Sequence, residues 1–256
     1  MTPPSSERSP PGSQSRAPAG VRVVYGVYVW IVFTALAMSA VAGMVLPGLE
    51  RRRRIARGAA RALLRIAGMP LTVKWGERIP AGQCVIVANH SSYLDGLVMM
   101  AALPPRFGFV IKREMSRVPL ANLLLRRIGS HFVERFNRHR GATDARRLIR
   151  SVAEGRSLVF FPEGTFAPQP GLLKFHTGAF AIAARANCPV VPVVVRGTRS
   201  ALPPKNPFPQ PSAIEIEFLE PIVATAQAMD DATLELRDRA RTAILSGLDE
   251  PDLAAA

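Results

Sequence analysis

The sequence predicts an α/β fold, a mostly parallel or mixed sheet flanked by helices, behind an N-terminal membrane-associated helical segment. Short β-rich runs alternate with helix-like stretches from about Pro70 onward, the texture of a sheet covered by helices. Ahead of them, no charged side chain occurs from Val23 to Leu49, about 27 residues where roughly 20 suffice to cross a bilayer core. A net charge of +14 in 256 residues and a pI near 11.3 coexist with a positive mean hydropathy of +0.14. That pairing asks for an anionic partner and an apolar environment together. A membrane supplies both, nucleic acid only the first.

Residues 1–20 are rich in Pro, Ser, Gly and Ala without apolar period, and read as a disordered tail. Residues 21–68 read as an apolar anchoring helix followed by a basic amphipathic one. Tyr25, Tyr28 and Trp30 lie near the start of the first, where an interfacial aromatic belt would lie. In Arg51–Gly68 the residues Ile55, Ala59, Ala62, Leu63 and Ile66 fall on one side of a helix, with arginines over much of the rest. Beside an apolar span this reads as an interfacial helix drawn to anionic headgroups. The arginine excess after the span orients the C-terminal bulk to the cytoplasm, which places the protein at the inner cell membrane. A cleavable signal ending near Ala40-Val41-Ala42 is the competing reading. Pro47-Gly48 also permits a helical hairpin that dips into one leaflet, and span against hairpin stays open.

Residues 69–250 read as one α/β domain, with 251–256 as a tail. Strands are expected at 71–75, 84–88, 107–111, 157–161 and 190–195. Helices are expected over Leu94–Leu103, Leu120–Ile128, Ala142–Glu154, Thr177–Ala186 and Ala232–Leu248. Ile214-Glu215-Ile216-Glu217-Phe218 alternates strictly and predicts a strand with one wet face. Pro203–Pro211 is a proline-rich loop. Cys84 and Cys188 sit beside Val/Ile-rich runs and read as small core residues. His131, His139 and His176 show no metal-ligand spacing.

The chemistry concentrates in two strand-end segments. In Ala88-Asn89-His90-Ser91-Ser92-Tyr93-Leu94-Asp95, a single helix would set His90 and Asp95 roughly 140° apart. They meet only if His90 lies in the turn before a helix and Asp95 in its first turn. Ser92-x-x-Asp95 is also a capping-box pattern, so the aspartate has a purely structural alternative. In Phe161-Pro162-Glu163-Gly164-Thr165-Phe166 a tight turn follows another strand, at the sheet edge where open α/β folds place their sites. Its glutamate reads either as an acceptor for a polyhydroxylated substrate or as a solvated turn residue.

Together these motifs resemble the glycerophospholipid acyltransferase family, the lysophosphatidate (1-acylglycerol-3-phosphate) acyltransferases, over roughly residues 70 to 222. The first family block, Asn-His-x-x-x-x-Asp, matches Asn89 to Asp95. Lys112-Arg113-Glu114 looks like its Lys-x-Glu segment, and Phe132-Val133-Glu134-Arg135 like its second block. Phe161 to Thr165 matches the third, and Val190-Val191-Pro192-Val193-Val194 the fourth. The resemblance implies the glycerolipid acyltransferase fold and transfer of a fatty acyl group from a thioester to a lysophospholipid. His90 would be the base and Asp95 its orienting carboxylate. Glu163, Gly164 and Thr165 would border the acceptor, and Arg135 with Lys112 would bind its anionic headgroup. No cofactor is implied beyond the co-substrate, an acyl-coenzyme A or an acyl carrier protein. The implied partners are the lysophospholipid, that thioester and an anionic bilayer, with no nucleic acid.

The sequence departs from the family at Phe166, where relatives often carry Arg or Ser. One phosphate-binding cation is therefore missing. A zwitterionic lysolipid or a lyso-aminolipid becomes a rival acceptor to lysophosphatidate, with Lys112, Lys174, Arg196 and Arg199 as substitute cations. A membrane-anchored nucleic-acid- or lipid-binding protein is the non-enzymatic alternative, and it leaves the four blocks unexplained.

Overall fold

The computed structural model describes residues 18–134 and 138–254. Its strands are β1 (Leu71–Lys74), β2 (Val85–Ala88), β3 (Phe107–Lys112), β4 (His131–Val133), β5 (Ser157–Phe160), β6 (Val190–Arg196) and β7 (Ile214–Phe218). They form a seven-stranded sheet of order β1-β7-β6-β2-β5-β3-β4. From β6 to β4 the strands run parallel. β7 is antiparallel to β6 and carries β1 parallel to itself. The sheet is mixed, with a parallel centre.

A parallel centre needs cover on both faces, and the β-branched runs answer that need. Ile86, Ala88, Val191 and Val193 point into one apolar cluster, and Val85, Val87, Val190 and Val194 into another. β7 keeps its expected alternation, burying Ile214, Ile216 and Phe218. Its wet-face glutamates meet cations: Glu215 lies 2.7 Å from Lys74 and 2.6 Å from Arg196, and Glu217 lies 2.9 Å from Arg196.

The helices of the domain are α3 (Leu94–Ala102), α4 (Pro119–Arg127), α5 (Arg138–Ala153), α6 (Gly178–Arg185), α7 (Thr198–Ala201) and α8 (Met229–Gly247). The chain leaves β2 through α3, whose Val98, Met99 and Ala101 join the first cluster. It leaves β5 through α6, whose Ala179, Phe180 and Ala183 join the second, on the opposite face. Neighbouring parallel strands whose connections depart to opposite faces open a crevice beyond their C-terminal ends. β2 and β5 are such neighbours. Two elements were not expected as such, β4 and α7. Three and four residues are too few for a period to show.

Ahead of the domain, α1 (Ala19–Gly43) and α2 (Leu49–Ile66) form an antiparallel hairpin. The Tyr25 and Tyr28 hydroxyls near the start of α1 donate to the Ala67 and Ile66 carbonyls at the end of α2. α1 is long and apolar enough to cross a membrane, and Val24, Ile31 and Met38 on it are exposed. It nevertheless touches the domain at its middle and at its C-terminal end. Trp30 Nε1 donates to Pro207 O at 2.7 Å, and Arg127 donates to Met44 O at 3.2 Å. Gly26 lets Phe208 of the proline-rich loop seat on the helix, since a Cβ there would lie 2.7 Å from that ring.

α2 departs from expectation in two respects. Its buried face is Ala56, Ala60, Leu63 and Leu64, with Ile66 exposed. That is the expected stripe moved on by one residue, or about 100°. The arginines explain the rotation. Arg53 donates to Ile128 O at 2.9 Å and to Arg106 O at 2.7 Å. Arg57 and Arg61 donate to the Ala101 and Ala102 carbonyls, at the end of α3 where helical acceptors lack partners. Three cations expected to face headgroups are thus turned into the protein. Ala60, Leu63 and Leu64 share a cluster with α3 and the sheet, so residue 68 does not divide two cores.

Candidate active site

At the end of β2 the chain turns through His90 before α3 begins, and Asp95 stands in the first turn of α3. His90 Nδ1 and Asp95 Oδ2 are 2.7 Å apart. The same oxygen accepts the N–H groups of Ser91 at 2.7 Å and Ser92 at 2.8 Å. The two readings left open by the sequence therefore coexist: Asp95 satisfies backbone donors of the turn before the helix and also holds the imidazole. An oxygen already accepting two backbone N–H groups is an acceptor for the ring as well. Nδ1 then carries the hydrogen and Nε2 keeps the lone pair. Asp95 is 0 % exposed, whereas 20 % of the His90 side chain is open to solvent.

The loop is pinned from both sides. Asn89 bridges to β6, donating to Val195 O at 2.9 Å and accepting from Val195 N–H at 2.7 Å. Ser92 Oγ donates to Leu202 O at 2.8 Å. On the β5 side, Glu163 Oε1 accepts the His90 N–H at 2.6 Å, and its Oε2 accepts the Leu173 N–H at 2.9 Å. Glu163 is only 3 % exposed. Burial outweighs those two hydrogen bonds and pushes its carboxyl up to about 7. Both oxygens thus accept backbone donors, and Glu163 ties the β5 loop to the base. Gly164 adopts φ +73°, which a side chain would resist, and its N–H closes the turn onto Phe161 O at 3.0 Å. Thr165 follows, exposed at the rim.

Aromatic rings wall the base. The His90 ring stacks on Phe161 with centroids 4.5 Å apart. Phe166 meets it edge-on at 4.7 Å and meets Tyr93 at 4.9 Å. The motif pattern located Phe166 as a substitution but gave no sign that its ring covers the base. Phe161 and Tyr93 were missed as site residues, although both lie inside the motif blocks.

The cations are less gathered. Lys112 ends β3, on the far side of β5 from β2, roughly 10 Å across the sheet. It makes no hydrogen bond or ion pair among the described residues. Arg135 lies outside the described residues. Arg196 is spent on Glu215 and Glu217, and Arg199 on Glu250 and the Ala167 carbonyl. Lys174 is exposed, as is His176. Cys84 and Cys188 are buried free thiols.

Residues 70–196 match the acyltransferase family model. The chain is 34% identical over 146 residues to the human 1-acyl-sn-glycerol-3-phosphate acyltransferase beta, covering 56% of this chain and 51% of that protein. It is 31% identical over 188 residues to the lyso-ornithine lipid O-acyltransferase of Pseudomonas aeruginosa, covering 66% of this chain and 69% of that protein. The chain spans about two fifths to three fifths of the length of the eukaryotic relatives it matches. Its fold is similar to the crystal structure of the 1-acyl-sn-glycerophosphate acyltransferase PlsC from Thermotoga maritima. The TM-score is 0.73 at 20% identity, over 88% of this chain and 95% of that one.

Proposed function

Because the chain belongs to the glycerophospholipid acyltransferase family, we propose that it moves a fatty acyl group from a thioester to the free hydroxyl of a lysophospholipid in phospholipid biosynthesis. 1-Acylglycerol-3-phosphate is the first acceptor to test, with phosphatidate as its product. The observation that carries the reading is the His90–Asp95 pair at 2.7 Å, in the crevice between β2 and β5. Neutral His90 takes the acceptor hydroxyl's proton on Nε2 as the oxygen attacks the thioester carbonyl. Asp95 holds the Nδ1 proton and stabilises the imidazolium that forms. The tetrahedral oxyanion needs donors, and the N–H groups of Thr165 and Phe166 make no backbone hydrogen bond among the described residues. Collapse expels the thiolate, which takes the proton back from His90. The acceptor is itself the nucleophile, so no acyl-enzyme forms. Lys112 and Arg135 bind the anionic headgroup.

A second reading has its own support. Phe166 occupies the place of a phosphate-binding arginine and lies against the base, and one relative is named for a lyso-ornithine lipid. A lyso-aminolipid acceptor fits that wall. The donor is the thioester of coenzyme A or of acyl carrier protein. The catalytic domain works at the cytoplasmic leaflet of the inner membrane. α1 lies along the domain and touches it at its middle and at its C-terminal end, which favours a hairpin resting in one leaflet over a perpendicular span. The test is acyl transfer by the full chain across a panel of lysolipids with both thioester donors. Transfer to none of them, with fold intact, ends the proposal.

A further inference from the structure

Arg53, Arg57 and Arg61 of α2 are spent on carbonyls, and much of the charge of +14 lies outside that helix. A cavity of about 330 Å³ opens beside the edge strand β4, lined by Arg113, Ser116, Arg126, Ser130, Phe132 and Arg147. Arg113 shares Glu134 and Asp144 at 3.6 and 3.4 Å, and Arg147 shares Asp144 at 3.1 Å. Among the described residues Arg126 bonds only the neutral Asn122, at 2.7 Å, and it lies 5.3 Å over the Phe132 ring. Three guanidinium groups thus face two carboxylates. The Ser130 hydroxyl is buried with no hydrogen-bond partner among the described residues. Burial first, and Arg147, Arg156 and Arg53 nearby after it, push His131 next to it down to about 4.

The surroundings of the cavity are apolar and exposed. α4, which supplies Arg126, leaves Leu123 exposed, with Val118 exposed just before it. Its Leu124 and Leu125 pack with Ala40 and Met44 at the end of α1. The cavity therefore lies on the helix that packs against the C-terminal end of α1. It is also far from the base. β4 stands three strands from β2, roughly 14 Å across the sheet. The hydroxyl and phosphorus of a lysophosphatidate are only four bonds apart, at most about 6 Å. The cavity is therefore a different place from the crevice that holds the base.

We propose that this cavity binds the phosphodiester headgroup of an anionic phospholipid of the bulk membrane, a non-catalytic lipid site that rests on the membrane reading of α1. Arg126 and the unshared donors of Arg113 and Arg147 take the phosphate oxygens, and the Ser130 hydroxyl finds its missing partner there. The acyl chains run past Val118 and Leu123 toward α1. The thioester donor carries phosphates too, so the test separates the two sources. The full chain is floated with phosphatidylcholine vesicles, with and without phosphatidylglycerol, and is titrated in neutral micelles with coenzyme A. Arg126→Gln is expected to weaken binding to the anionic vesicles about 5-fold. Ser130→Ala is expected to weaken it by a similar factor while leaving the melting temperature unchanged or higher, since it removes an unsatisfied hydroxyl. Neither variant should alter binding to phosphatidylcholine alone. Equal losses on both vesicles, or no loss on the anionic ones, overturns the site. Coenzyme A binding that falls in Arg126→Gln while vesicle binding holds assigns the phosphate to the donor and overturns the lipid proposal. Wild type that binds neither vesicle removes the membrane premise itself.

Discussion

The loop leaving β2 and the loop leaving β5 meet at one crevice, and each brings a buried carboxylate to it. In the first, Asp95 accepts the Ser91 and Ser92 N–H groups and stands 2.7 Å from His90 Nδ1 with the same oxygen. In the second, Glu163 accepts N–H groups of the backbone alone, from His90 and Leu173. One carboxylate faces a group whose protonation changes during proton transfer. The other faces groups whose protonation never changes. Burial alone does not give a carboxylate a chemical role; the partner it faces does.

The largest effect should come from the ring that makes the first loop different. His90→Ala is expected to lower kcat by roughly 10³-fold, within the range for loss of a general base. The backbone N–H that Glu163 accepts remains in the variant, so melting temperature and vesicle binding should hold. Turnover near wild type would erase the distinction between the loops. Asp95→Asn is expected to cost about 10²-fold or more, because the amide no longer enforces the Nδ1–H tautomer. It keeps one acceptor for the Ser91 and Ser92 N–H groups, so its stability should fall less than its activity. A variant that loses stability and activity together would reduce Asp95 to a cap.

Glu163→Gln probes the second loop and should read differently. Glutamine offers one acceptor where two N–H groups need one each, and turns an NH₂ toward the other. The expected loss is about 1–3 kcal/mol of stability and roughly 10-fold in kcat, through a base whose backbone is less well held. The pH dependence has a definite sign. The folded carboxyl, raised to about 7 from an ordinary 4.5, keeps a proton that the unfolded chain has already lost. Over that window stability falls as pH rises, by at most about 1.4 kcal/mol per unit. Urea midpoints at about pH 5 and about pH 8 should therefore separate in wild type and converge in Glu163→Gln. An unchanged separation in the variant would place the titration elsewhere.

Much of this was legible in residue spacing. The angular argument that His90 must precede the helix containing Asp95 needs only 3.6 residues per turn. The β-branched runs marked the strands because parallel strands are buried on both faces. The role of Glu163 was not legible, since its partners are backbone N–H groups, one 73 residues away, and a backbone donor leaves no mark on sequence. The buried face of α2 was placed one residue early for a related reason. Hydrophobicity placed its arginines outward, but a guanidinium on a long apolar stem reaches unpaired carbonyls from the edge of a buried face. Arg53 finds one 75 residues away. Between the two N-terminal helices the more charged one is therefore the more deeply built into the domain. The more apolar one remains exposed.

The smallest expected effect is on selectivity, and it tests what the second loop does contribute to chemistry. Phe166 touches the His90 ring at 4.7 Å and Tyr93 at 4.9 Å, so any side chain there lies beside the base. Phe166→Arg adds a donor for a phosphomonoester, and a hydrogen bond to a charged group is worth roughly 10- to 150-fold. The site is partly open, so the gain should lie near the lower bound. The same cation sits beside the imidazolium that forms during proton transfer and disfavours it. Turnover on a zwitterionic lysolipid should therefore fall while kcat/KM for lysophosphatidate rises. Phe166→Ala separates the two causes, since it removes the ring without adding charge and should leave the preference close to that of wild type. The measurement is the ratio of kcat/KM for lysophosphatidate over the zwitterionic lysolipid in all three proteins. A shift of about 10-fold confined to Phe166→Arg makes this loop the reader of the headgroup. An unchanged ratio would leave the β5 loop as a positioning element only, and would move headgroup recognition across the sheet to Lys112.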